Sequence, residues 1–81
     1  MNKELWVDIG TIAKVKNFAA ITSEFESDIE VVAGRYVLDG KSIMALFSVN
    51  LLEPLLVRVV SDNEEEIEIF NRVMEEFKVD D

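Results

Sequence analysis

Eighty-one residues make one small domain, with a core too thin for a two-lobed enzyme or a large internal active site. Eight Lys and Arg stand against 17 Asp and Glu, a net charge of -9, which works against nucleic acid and anionic lipid, since both are bound by cations. Histidine and cysteine are absent, so imidazole and thiolate chemistry, disulfides and zinc knuckles are excluded together. The apolar share of 49% and charged share of 31% suit a folded soluble chain. The longest apolar runs are about five residues, as at Ile43 to Phe47, where a membrane span needs about 20. The start, Met1-Asn2-Lys3-Glu4, opens no secretory stretch. These features predict a cytoplasmic protein whose partners are proteins, with no cofactor and no metal.

The chain begins with alternation: Leu5, Val7 and Ile9 against Glu4, Trp6 and Asp8, the period-2 pattern of a half-buried strand. Gly10 ends it, and Thr11 is placed to cap a helix running to Glu24 or Phe25. Ile12, Val15, Ala19 and Thr22 share one stripe of that helix, widened by Phe18, Ile21 and Phe25. After a turn at Ser27-Asp28, Ile29, Val31 and Ala33 alternate as a second strand. Gly34 breaks it, and Arg35 to Leu38 read as the returning strand of a hairpin.

Asp39-Gly40-Lys41-Ser42 punctuates the chain, with Ser42 placed to cap a short helix through about Val49. Asn50 to Pro54 connect it to a fourth strand, in which Leu55, Val57 and Val59 alternate with Leu56, Arg58 and Val60. Ser61, Asp62 or Asn63 caps the last helix; each stands three residues before a glutamate, so three capping-box spacings overlap. Ile67, Phe70, Met74 and Phe77 form its apolar stripe, joined by Val73, with Lys78 near the C-terminal end. Alternating strands want one wet face, so this order predicts an α+β domain, a four-stranded antiparallel or mixed sheet with helices on one side.

Two motifs have plain structural readings. Glu64-Glu65-Glu66 complements the positive end of a helix better than it suggests a metal or acid–base site. Asp80-Asp81 reads as a solvated terminus. Asp39-Gly40-Lys41-Ser42 resembles the end of a phosphate-binding loop, but Arg35 stands where that loop needs glycine. The short helix after Ser42 is the more informative feature. At 100° per residue Leu46 and Val49 point one way, while Ile43, Met44 and Phe47 cluster on another face. A short helix can bury one face on the sheet and has little use for a second apolar stripe, so the second is a candidate docking patch for another protein; simple core packing is the competing reading.

Lys41-Ser42-Ile43-Met44, followed by Phe47 and Val49, resembles the regulatory-serine segment of HPr, the small phosphocarrier of the bacterial sugar phosphotransferase system. The resemblance implies an open-faced sandwich, a four-stranded antiparallel sheet covered by three helices in the order βαββαβα. It also implies a phosphate-accepting histidine at the start of the first helix, followed by an arginine and a proline. An ungapped match puts Thr11, Ala13 and Lys14 at those positions, so the carrier role is missing. The combination of a lost histidine and a kept serine is similar to the catabolite-repression HPr-like protein. It implies phosphorylation at Ser42 by an HPr kinase and reading by a transcriptional regulator, with Lys41, Ile43, Met44 and Phe47 as partner-binding residues. Ala45 departs from the family's glycine, and Lys14 or Lys16 is the candidate replacement for the missing arginine charge.

The expectation is therefore a non-enzymatic regulatory protein of the carbon catabolite control type. Two alternatives stay open. One is a constitutive interaction module, with Ser42 only a cap and the patch binding a partner or a second copy in a weak homodimer. The other is a small-ligand binder on a ferredoxin-like sheet.

Overall fold

The computed structural model describes residues 2–79, so the reading of Asp80-Asp81 lies outside the described residues. The chain forms β1 (Glu4–Val7), α1 (Ile12–Thr22), β2 (Asp28–Ala33), β3 (Tyr36–Asp39), α2 (Ile43–Phe47), β4 (Leu55–Val60) and α3 (Glu64–Val73), closed by a 3₁₀ turn, Met74–Glu76. The sheet order is β1-β4-β2-β3, and every neighbouring pair is antiparallel. The helices cover one face. The βαββαβα open-faced sandwich is the observed architecture.

Alternation within the strands produces the two layers. Leu5, Val7, Ile29, Val31, Leu55, Val57 and Val59 are buried beneath the helices, which contribute Val15, Phe18, Leu46, Ile67, Phe70, Met74 and Phe77. Aromatic rings lock the ends of this core edge to face: Phe18 on Phe77 at 5.4 Å and Phe25 on Phe70 at 6.4 Å. On the open face the register lines residues up in rows across all four strands. Glu4, Arg58, Glu30 and Asp39 form a charged row, beside an apolar row of Trp6, Leu56, Val32 and Val37. Arg58 donates to Glu4 at 2.8 Å and to Glu30 at 3.0 Å, and these carboxylates raise its pKa above the ordinary guanidinium value.

Element ends differ from the pattern-based expectation for identifiable reasons. The hairpin loop is Gly34-Arg35, with Gly34 at φ +61°, so pairing resumes at Ala33↔Tyr36 rather than at Arg35. The first helix ends at Thr22 because the Ser23 hydroxyl donates to Ala19 O at 2.7 Å and the chain tightens into a turn. Phe25 is buried beyond that end all the same. Ile12 leaves the apolar stripe: it opens the helix and is 65% exposed. The second helix stops at Phe47, where the Ser48 hydroxyl donates to Ala45 O at 2.6 Å.

The last helix tightens after Val73, and Phe77–Val79 turn back along β1. Asp8 N donates to Phe77 O at 2.7 Å and Val79 N to Trp6 O at 3.1 Å, on the side of β1 away from β4. Lys78 thus sits in an edge bridge opposite Val7 instead of ending a helix. Of the three candidate caps, Asn63 is the one used; its Oδ1 accepts from Glu65 N at 2.9 Å and Glu66 N at 3.2 Å. The reciprocal half of a capping box is missing. Ser61 Oγ takes the Asn63 N–H at 3.0 Å, while the Glu66 carboxylate turns to Ser27.

Candidate functional site

The segment carrying Ser42 is held by backbone contacts on several sides. Gly40 N donates to Ile29 O at 2.7 Å, extending the β2–β3 ladder by one pair. A Cβ at Gly40 would sit 2.8 Å from Ile29 Cγ2 and 2.9 Å from Ile29 O, so only glycine allows this approach. The Thr22 hydroxyl, buried at the end of α1, donates to Gly40 O at 2.8 Å. Asp39 closes the turn from both ends: its carboxylate accepts from Lys41 N at 2.9 Å and its carbonyl from Ser42 N at 3.1 Å.

Ser42 then opens α2. Its Oγ accepts from Ala45 N at 3.2 Å and its carbonyl from Leu46 N at 3.0 Å, and the residue is half-buried. Lys41 extends away from it. Lys41 Nζ donates to Phe25 O at 2.6 Å and lies near the Glu66 carboxylate. That carboxylate is held below the usual range by the Ser27 N–H and hydroxyl, then by the Ser61 hydroxyl and the charge of Lys41. Lys41 therefore serves the joint between the end of α1 and the start of α3.

Within α2 only Leu46 is fully buried. Met44 is 82% exposed, with Ile43 and Phe47 also on the surface and Leu52, 87% exposed, in the loop that follows. That loop returns to the start of α1, where a Cβ at Gly10 would lie 3.2 Å from Leu51 O. Thr11 is the N-cap of α1, its Oγ1 accepting from Lys14 N at 3.1 Å. Thr11, Ile12, Ala13, Lys14 and Lys16 are all exposed. Loop packing thus brings the capped end of α1 and the loop after α2 onto one side of the helical layer.

No family model matches the sequence, and no curated protein matches it. Among solved structures the chain is similar to the crystal structure of HPr-C-His from Thermoanaerobacter tengcongensis, with a TM-score of 0.70 over 91% of this chain and 92% of that one. The fold is that of HPr. At 23% identity the likeness speaks to architecture. Within this HPr fold the segment Lys41 to Met44 forms the turn into α2 and its first residues, and Thr11 stands at the cap of α1.

Two contributors to the site were not singled out from sequence. Thr22 had a visible signal, a hydroxyl on an otherwise apolar helical stripe. Gly40 had only its place in a turn; its close approach to Ile29 depends on how the hairpin packs. A separate open cleft of about 450 Å³ lies between α1 and α3, floored by Ile21, Phe25, Ile69 and Val73, and contains none of the expected site residues. Among the described residues no cluster of three or more potential ligands could hold a metal ion, and no helix is long and apolar enough to cross a membrane.

Proposed function

We propose that this chain is a non-enzymatic HPr-like regulatory protein of the sugar phosphotransferase or carbon catabolite control type. It carries no histidine phosphate, is modified at Ser42 by an HPr kinase, and is read by protein partners in the cytoplasm. The observation that carries this reading is the exposed apolar face of α2, Ile43, Met44 and Phe47, beside a serine whose turn is held by hydrogen bonds at Asp39 and Gly40. Apolar side chains that the core does not use, clustered next to a modifiable hydroxyl, make a surface suited to a partner.

The chemistry at Ser42 is a phosphoryl transfer. Its Oγ attacks the γ-phosphorus of ATP, the bond to ADP breaks, and the hydroxyl proton leaves to the kinase. About -1.5 to -2 charge then appears at the surface. Lys41 Nζ is engaged at Phe25 O, so the new charge stays available to a cation on the partner, which makes a charge-assisted contact the natural readout. Thr11 cannot substitute for a phosphohistidine, because a threonine phosphate ester lacks the reactivity of a phosphoramidate.

Intact mass after incubation with HPr kinase and ATP tests this reading. One added phosphate, absent in Ser42→Ala, is the expected result. No addition, with a control HPr phosphorylated in the same tube, contradicts it. One observation favours the simpler alternative of a constitutive interaction module: the Ser42 hydroxyl is half-buried and already occupied as a cap. In that case the patch binds its partner without modification, and Met44→Asp abolishes binding while Ser42→Ala leaves it intact.

A further inference from the structure

The two edges of the sheet are treated differently. The outer side of β1 is covered in part by the returning C-terminal segment, which pairs with Trp6 and Asp8. The other edge is β3, beyond which no strand lies among the described residues. A strand edge of this kind is a template for pairing with another chain.

The ladder fixes which groups of β3 face outward. Gly40 N donates to Ile29 O, which makes Ile29↔Gly40 a hydrogen-bonded pair. Alternation then makes Leu38 and Tyr36 the next residues bonded to β2. The N–H and C=O of Val37 therefore point away from the sheet, as does the N–H of Asp39. Tyr36 and Val37 are both more than half exposed. Neither Arg35 nor Asp39 takes part in an ion pair among the described residues.

The stretch Arg35-Tyr36-Val37-Leu38-Asp39 is complementary to itself when reversed. An antiparallel pairing centred on Val37 sets Val37 against Val37 and Tyr36 against Leu38 within the strands, and brings Arg35, in the hairpin loop just before β3, across from Asp39 at each end; the last two pairs occur twice. The Arg35–Asp39 pairs are of opposite charge, a favourable cross-strand combination, and the central pairs are apolar on both sides. Other symmetric registers lose this. Centring on Asp39 opposes like charges, and centring on Leu38 sets Val37 against Asp39 and Tyr36 against Gly40.

We infer that β3 is the pairing strand of a homodimer, in which two copies of this chain join edge to edge through an antiparallel β3–β3 ladder centred on Val37. The contact is small and each copy carries a charge of -9, so the dimer is a weak one, with a dissociation constant between about 10 μM and 1 mM. This inference does not depend on Ser42 phosphorylation.

Sedimentation equilibrium of the full chain from about 10 μM to 2 mM reads the association, a range set by that expected constant. Val37→Pro removes an outward N–H that β2 does not use, which an edge strand tolerates, and is expected to leave a monomer. Arg35→Glu places two carboxylates opposite one another at each end of the ladder and is expected to weaken the dimer about tenfold or more. Asp39→Arg does the same with cations, and an equimolar mixture of those two variants restores association, because both cross-chain pairs are then of opposite charge. Circular dichroism confirms folding of each variant, and if Val37→Pro is misfolded, the charge variants and their mixture decide alone. Amide exchange gives a second reading: Val37 and Asp39 gain protection with concentration, while Tyr36 and Leu38 are protected throughout. A single-chain mass up to 2 mM overturns the inference, and so does a dimer indifferent to these substitutions or a mixture no more associated than its components.

Discussion

The helices α2 and α3 are capped alike and used differently. Asn63 and Ser42 each accept first-turn N–H groups. From there α3 runs ten residues, burying Ile67 and Phe70 and continuing through Met74 and Phe77 into the core. Its partner α2 is five residues long and buries only Leu46. The longer helix is placed by its own apolar face. The shorter one is placed by the turn before it, through Gly40 on Ile29, Thr22 on Gly40 and Asp39 on Lys41 and Ser42. An element held from behind leaves its side chains free for recognition.

The largest effect that sharpens this contrast is expected at Phe70. Phe70→Ala empties a fully buried position beside Phe25 and costs about 3–5 kcal/mol in urea denaturation. Gly40→Ala comes next. Its new methyl meets Ile29 backbone as well as side chain, so overpacking costs about 1–3 kcal/mol. The same substitution displaces the turn carrying Ser42, so slower phosphorylation by an HPr kinase is expected alongside the lost stability.

The caps follow. Asn63→Ala and Ser42→Ala each remove a side-chain acceptor, at about 1 kcal/mol. Asn63 shows the larger loss, since it serves two N–H groups and the longer helix. Equal losses would mean that α2 depends on its cap as fully as α3 does. The acid limb of stability is a smaller effect. Glu66 has a folded-state pKa below its ordinary value because Ser27 donates to the carboxylate. Its contribution is therefore fully present above the ordinary carboxylate range and is lost as pH falls through the lowered value. Urea midpoints followed from neutral to acid pH should fall less steeply in Glu66→Gln, with the remaining slope including Asp62, lowered by Lys3.

Local pattern made most of the architecture legible. The strand alternation, the stripe from Ile67 to Phe77 and the caps at Thr11 and Ser42 all follow from neighbours within a few residues. The two-faced character of α2 was also visible, as Leu46 and Val49 against Ile43, Met44 and Phe47. Contacts between distant segments were not legible. Nothing near Lys41 announces that its ammonium goes to Phe25 O, nor anything near Glu66 that its carboxylate reaches Ser27. Asn63 could not be chosen over Ser61 or Asp62 because all three spacings fit. Ile12 satisfied the periodicity of α1 but stands at its first position, where its side chain is exposed.

Whether α2 carries a recognition surface or a piece of the core turns on Met44. Urea denaturation of Met44→Asp beside the unaltered chain measures this directly. A fold that does not use this side chain keeps its stability within about 0.5 kcal/mol. A loss above about 2 kcal/mol, the scale of a buried apolar side chain, would make α2 a core helix and remove the docking surface on which the proposed function rests.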